Sequence, residues 1–148
     1  MRKFFSVLLL ALGLTGIQTS AQEFDLSTYK GKVVYMDFWA SWCGPCRQSF
    51  PWMSQLQEKY KSQGLVVIGV NVDQEQKLAD KFIKELTPSF NIVFDPEGKL
   101  ATGYQVAGMP SAFIVDRSGK VRFKHIGFHQ DKTSQYEQEI TTLLNEKP

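Results

Sequence analysis

The chain holds two cysteines, Cys43 and Cys46, with Gly44 and Pro45 between them. A disulfide between residues so near in sequence closes almost no loop, so it stabilises a fold only weakly. Chemistry is the better use for such a pair. It stands where a buried strand, KVVYMDFW (Lys32–Trp39), gives way to a run of helix formers. A sulfur at a helix start faces unpaired backbone N–H groups and the positive end of the dipole, and both favour a thiolate. A CxxC cysteine so placed titrates at about 7 or below instead of about 8.5, which makes it a nucleophile near neutrality. Cys43 is therefore expected to attack, and Cys46, one turn further in, to resolve the mixed disulfide. His125 and His129 have an H-x3-H spacing that would complete a zinc set with the cysteines. A zinc-finger pattern separates its pairs by only about 12–15 residues, and here most of the domain intervenes, so no metal site is expected.

The elements that must hold this pair follow from periodicity. From Gly44, Phe50, Met53, Leu56 and Tyr60 mark one helical face, ending near Ser62 with a stop at Gly64, and Pro51 is expected to kink it. LVVIGVNV (Leu65–Val72) is a second buried strand. DQEQKLADKFIKEL follows as an amphipathic helix with Leu78, Phe82 and Leu86 on its apolar face, and FNIVFD as a short strand. PEGKLATGY reads as a turn into a helical stretch. SAFIVD and VRFKHI are strands joined by a hairpin at RSGK. The last helix carries Tyr136, Ile140, Leu143 and Leu144 on one side. The order β-α-β-α-β-α-β-β-α predicts one α/β domain, residues 22–148, with a mixed sheet and helices on both faces.

The beginning of the chain is different in kind. Met1-Arg2-Lys3 precedes an uncharged apolar run, and Thr19-Ser20-Ala21 offers small residues for cleavage, which together describe a secretory signal over residues 1–21. The other reading is a retained anchor. The run falls short of the about 20 residues a spanning helix needs, so cleavage and no stable membrane insertion are expected. Without Arg2 and Lys3 the chain has 15 basic and 15 acidic residues, so its apparent basicity belongs to the signal and no nucleic-acid partner is expected. Export also implies a compartment in which disulfides persist, most simply the periplasm.

DFWASWCGPC resembles the active-site segment of thioredoxin, and Pro51, Met109-Pro110 before SAFIVD, and Gly127 after the last strand agree in order. The resemblance covers about residues 24–145. Within that superfamily the chain is most similar to exported proteins of the TlpA/ResA type. DLSTYKGKVV, the helix-strand insertion DQEQKLADKFIKELTPSFNIVFD, FPWM and GMPSAFIVDRSGKV carry this likeness. It departs at Asp37, often Asn in the exported group, and at Ser49, where many exported members carry an acid.

The resemblance implies a thioredoxin fold and a thiol–disulfide oxidoreductase whose only redox group is the Cys43–Cys46 disulfide, with no bound cofactor. It implies that Asp37, its pKa raised by burial, accepts the Cys46 proton, although strand periodicity leaves its direction open. It implies a cis bond before Pro110, with Met109 presenting backbone groups to an extended substrate. Trp42, Gly44 and Pro45 complete the docking patch, while Trp39 reads as core. Glu75 is a weaker candidate acid and more simply a solvated helix-start residue. Gly44-Pro45 matches thioredoxin, at about −270 mV, better than strongly oxidising relatives near about −120 mV, so a reductant is expected. Disulfide-bearing proteins would be its substrates, apocytochrome c among them, and a membrane thiol reductase its electron donor. Two other readings stay open: a thiol peroxidase on the same fold, and a non-enzymatic peptide-binding or chaperone module. A peroxidase needs a Pro-x-x-x-Thr-x-x-Cys environment, and Cys43 follows Phe38-Trp39-Ala40-Ser41-Trp42 instead.

Overall fold

Seven consecutive buried residues, Val33–Trp39, form strand β1, and the rest of the fold is laid out around it. The computed structural model describes residues 24–147, so the expected signal segment lies outside the described residues. In chain order β1 is followed by α1 (Gly44–Tyr60), β2 (Leu65–Asn71), α2 (Gln76–Leu86), β3 (Asn91–Phe94) and α3 (Lys99–Gly103). Then come β4 (Ser111–Val115), β5 (Val121–Ile126) and α4 (Thr133–Asn145). The five strands pair in the order β3-β2-β1-β4-β5. β1, β2 and β3 run parallel, while β4 is antiparallel to both β1 and β5. Both faces of β1 must therefore be covered, which is why it reads as an apolar run interrupted only by Asp37.

On one face α1, α2 and α4 pack over Tyr35, Trp39, Val67 and Ile114. On the other, the short α3 and a 3-10 turn at Leu26–Tyr29 cover Met36, Phe38, Val70 and Phe113. The predicted faces of α1 and α4 are the buried ones: Phe50, Met53, Leu56 and Tyr60 in the first, Tyr136, Ile140, Leu143 and Leu144 in the second. The α2 face differs from expectation. Ala79 and Phe82 are buried with Ile83 and Leu86 beside them, and Leu78 is 45% exposed. Steps of four residues drift about 40° per step on a helix of 3.6 residues per turn, so the true stripe mixes steps of three and four. Among the described residues no helix is long and apolar enough to cross a membrane.

The β4–β5 hairpin also ties together three segments far apart in the chain. Arg117 in its turn donates to the carbonyls of Gly31 at 2.8 Å, Gln63 at 3.2 Å and Leu144 at 2.9 Å. It thereby joins the lead-in to β1, the end of α1 and the last turn of α4. Gly64 makes room for it: its φ is +97°, and a Cβ there would stand 3.0 Å from Arg117 Nη1. Removing one cation from three carbonyls is expected to cost about 2–3 kcal/mol, since charged hydrogen bonds contribute about 1.5–3 kcal/mol and are not additive. Urea unfolding of Arg117→Ala should show this as a lower midpoint with an unchanged slope.

Candidate active site

Cys43 is the N-cap of α1, and its sulfur accepts a hydrogen bond from the Cys46 backbone N–H at 3.3 Å. Pro45 occupies the first turn, where it forfeits no helical hydrogen bond. The two sulfurs form a disulfide, S–S 2.06 Å. Cys43 keeps 4% of its surface exposed and Cys46 none. The turn that delivers Cys43 from β1 is closed by its own N–H donating to Ala40 O at 3.1 Å.

The remaining predicted residues lie around this helix start. Trp42 is 71% exposed, and Gly44 and Pro45 are exposed beside it. Met109 packs against the core cluster that contains both cysteines, and the Met109–Pro110 bond is cis. Gly127 N–H donates to Pro110 O at 2.8 Å, which draws the end of β5 up to the same rim. Trp39 is fully buried, as a core residue.

Strand periodicity left the direction of Asp37 open because both faces of β1 are buried; the structure turns it to the α1 side. It is 2% exposed, and its Oδ2 has no hydrogen-bond partner. Its register neighbours are Gly69 on β2 and Ala112 on β4, so neither adjacent strand offers a cation. Burial holds the carboxyl well above the usual carboxylate range, against a smaller opposing pull from the Ser49 hydroxyl. The Ser49 hydroxyl donates its proton to Cys46 O at 3.1 Å, so a neutral group stands between Asp37 and the turn carrying Cys46.

Other candidates lie elsewhere. Glu75 stands at the N-cap position of α2 without a capping hydrogen bond and pairs with Lys77 on the open surface at 2.8 Å. His125 faces Glu139 and packs against Tyr136, ring centroids 4.5 Å apart and planes tilted by 49°. Among the described residues no cluster of three or more His, Cys, Asp or Glu side chains could hold a metal.

Two parts of the site escaped the sequence reading. Ile126, 59% exposed at the end of β5, is paired in register with Ser111 beside Pro110. Its only signal was an apolar residue closing an edge strand before Gly127. Asp73 read as the first residue of a helix, but α2 begins at Gln76, and the Asp73 carboxylate turns back to Ser41. No local signal marks a contact spanning that many residues.

The profile of the Redoxin family matches residues 5–140. The chain is 36% identical over 100 residues to the thiol-disulfide oxidoreductase ResA of Geobacillus kaustophilus, covering 68% of this chain and 58% of that relative. It is 33% identical over 121 residues to ResA of Bacillus cereus, covering 81% of this chain and 70% of the relative. A crystal structure from Chlorobium tepidum, provisionally assigned as the thiol:disulfide interchange protein DsbE, superposes with a TM-score of 0.80. The two are 49% identical, and the match covers 81% of this chain and 85% of the other.

Because the folded-state pKa of Asp37 lies above its unfolded value, the native state binds more protons than the unfolded state between those two values. Stability there falls as pH rises. Asp37→Asn removes this dependence. Urea unfolding of the oxidised variant should match the parent near the ordinary carboxyl value of 3.8 and exceed it increasingly toward pH 8. A difference that does not change with pH would show that burial does not hold the Asp37 proton.

Proposed function

Since the chain belongs to the Redoxin family, and since its relatives include thiol-disulfide oxidoreductases of the ResA kind, we propose that it is an exported reductant of protein disulfides. One observation carries this reading: the Cys46 N–H points at the Cys43 sulfur at the start of a helix, under an exposed apolar rim. That geometry stabilises negative charge on Cys43 and leaves Cys46 sheltered.

In the reduced protein the Cys43 thiolate attacks one sulfur of the partner disulfide. A Cys43–substrate S–S bond forms, the partner bond breaks, and the first partner thiolate leaves. Cys46 then loses its proton to Asp37 and attacks Cys43. The internal disulfide forms, the second partner thiolate departs, and two electrons have passed from the protein to its substrate. Burial suits Asp37 to this role, because a carboxyl with a raised pKa can hold a thiol proton and pass it on. Trp42, Gly44, Pro45, Met109 and Pro110, with Ile126 added, supply the docking patch. An extended substrate segment pairs there with the Met109 backbone.

Residues 1–21 act in this reading as a cleaved signal, with residues 22–148 working in the periplasm. A membrane thiol reductase restores the dithiol after each turnover. Gly44-Pro45 and the resemblance to thioredoxin support reduction as the direction, and apocytochrome c thiols awaiting haem are proposed among the substrates.

Reduction of insulin by dithiothreitol provides the test. The wild-type protein should accelerate it, Cys43→Ser should return the rate to that of dithiothreitol alone, and Cys46→Ser should accumulate a covalent mixed disulfide with the substrate. Equal acceleration by Cys43→Ser would sink the proposal.

A further inference from the structure

The redox steps above leave one buried acidic group at the site unused. Asp73 is 5% exposed and lies just beyond the end of β2. Its Oδ1 accepts from the Ser41 hydroxyl at 2.8 Å, and its Oδ2 from the Ser41 backbone N–H at 2.9 Å and from Asn71 Nδ2 at 2.7 Å. Both oxygens act only as acceptors, the pattern of an ionised carboxylate. Its own N–H is held by Asn71 Oδ1 at 3.1 Å, so the acid cannot swing out without breaking a connected set of bonds.

This set grips the middle of the turn Ala40–Cys43. Ser41 is two residues before the N-cap cysteine, which places the carboxylate on the order of 10 Å from the Cys43 sulfur. A buried charge at that range is screened far less than an exposed one. The other charged or titratable groups around the cysteines are tied up differently. Arg47, one turn into α1, is paired with Glu85 of α2 at 2.9 Å and lies over the Phe82 ring. Asp37, on β1, has its pKa raised by burial, which disfavours a fixed charge there.

Resting on the oxidoreductase reading, we propose that Asp73 is a positioning residue that sets how reducing the cysteine pair is. The carboxylate fixes the turn that presents Cys43, and its negative charge disfavours the Cys43 thiolate. The helix start alone would stabilise that thiolate and make the couple more oxidising. Asp73 opposes it, so the disulfide form is relatively favoured and electrons leave the dithiol more readily. Asp73 touches neither substrate nor sulfur and acts through Ser41 and through its field.

Equilibration of the purified protein with glutathione measures this on the couple itself, with no protein substrate. One disulfide and two glutathione thiols become one dithiol and one oxidised glutathione. Asp73→Asn keeps the shape of the side chain and removes the charge, and Ser41→Ala removes one hydrogen bond and keeps the charge. Asp73→Asn is expected to shift the equilibrium toward the dithiol by about fivefold, which is about 20 mV at about 30 mV per tenfold. Its Cys43 should also alkylate with iodoacetamide at a lower pH midpoint. Ser41→Ala should stay within about twofold of the parent on the same scale. An unshifted Asp73→Asn equilibrium overturns the proposal, and so does an equal shift in both variants, which would assign the effect to turn geometry. Should Asp73→Asn not fold, the reduced wild-type protein serves instead. The Asp73 carboxyl carbon resonance should move through the Cys43 titration, and its failure to move overturns the proposal. Insulin reduction tests the oxidoreductase reading separately, so a failure of either is distinguishable from a failure of the other.

Discussion

A single hydrogen bond, from the Cys46 backbone N–H to the Cys43 sulfur, sets the demands on the rest of the molecule. It exists only if α1 starts at Cys43, and a helix start holds its place only if the chain entering it cannot slide. β1 provides that restraint as the central strand, locked in register to β2 on one side and β4 on the other. A slip of one residue would carry Asp37 and Trp39 to the opposite face. Beyond the cysteines, Pro51 removes a backbone donor from the helix interior. The helix nevertheless continues to Tyr60, because Phe50, Met53, Leu56 and Tyr60 bury its inner face against the sheet. Tertiary packing outweighs the local defect.

Holding the site this firmly leaves polar atoms stranded. Asp37 Oδ2 and Trp39 Nε1, two residues apart on β1, are both buried without partners. Each such atom costs about 1–3 kcal/mol, and native proteins carry few of them. Gly69 explains part of the arrangement: it stands beside Asp37 in register, and a Cβ there would come within 3.0 Å of the Trp39 indole nitrogen. The compensation is aromatic. Trp39, Phe50, Phe82 and Phe90 form a linked set with centroids 4.7–5.1 Å apart, and Phe82 comes from the inserted helix α2. The insertion therefore seals the active-site end of β1 as well as widening the sheet.

Most of the fold was legible because its signals are local. Apolar runs rich in β-branched and aromatic residues mark β1 and β2, RSGK marks the hairpin, and the α1 and α4 stripes have helical spacing. The cysteine pair and Met109-Pro110 are motifs of adjacent residues and were legible for the same reason. The errors and omissions share the opposite property. The inner face of α2 follows mixed steps of three and four instead of a strict four, and Asp73, which read as the start of that helix, bonds to Ser41 instead. Asp37 sits on a strand buried on both sides, so alternation carries no information about its direction. Ile126 looks like any edge-strand residue until the pairing with Ser111 places it beside Pro110.

Topology explains why these distant residues meet. Parallel strands end at the same edge of a sheet, and that edge is where α/β proteins place their chemistry. β1 and β2 are parallel, so Ser41, after the first, comes to Asp73, after the second. β4 is antiparallel to β1, so what reaches that edge is its start, and Met109-Pro110 arrives there immediately before it. β5 reverses again, so its end returns to the rim as Ile126 and Gly127, the latter bonded to Pro110. Four strand ends thus bring together the turn to Cys43, the Asp73 carboxylate, the Met109-Pro110 segment and the apolar Ile126. A fifth element, α1, supplies the dipole that acts on the sulfur. Local sequence can specify each piece, but the field at Cys43 is a property of their convergence. That is why an acid so far along the chain comes to lie near a cysteine it never touches.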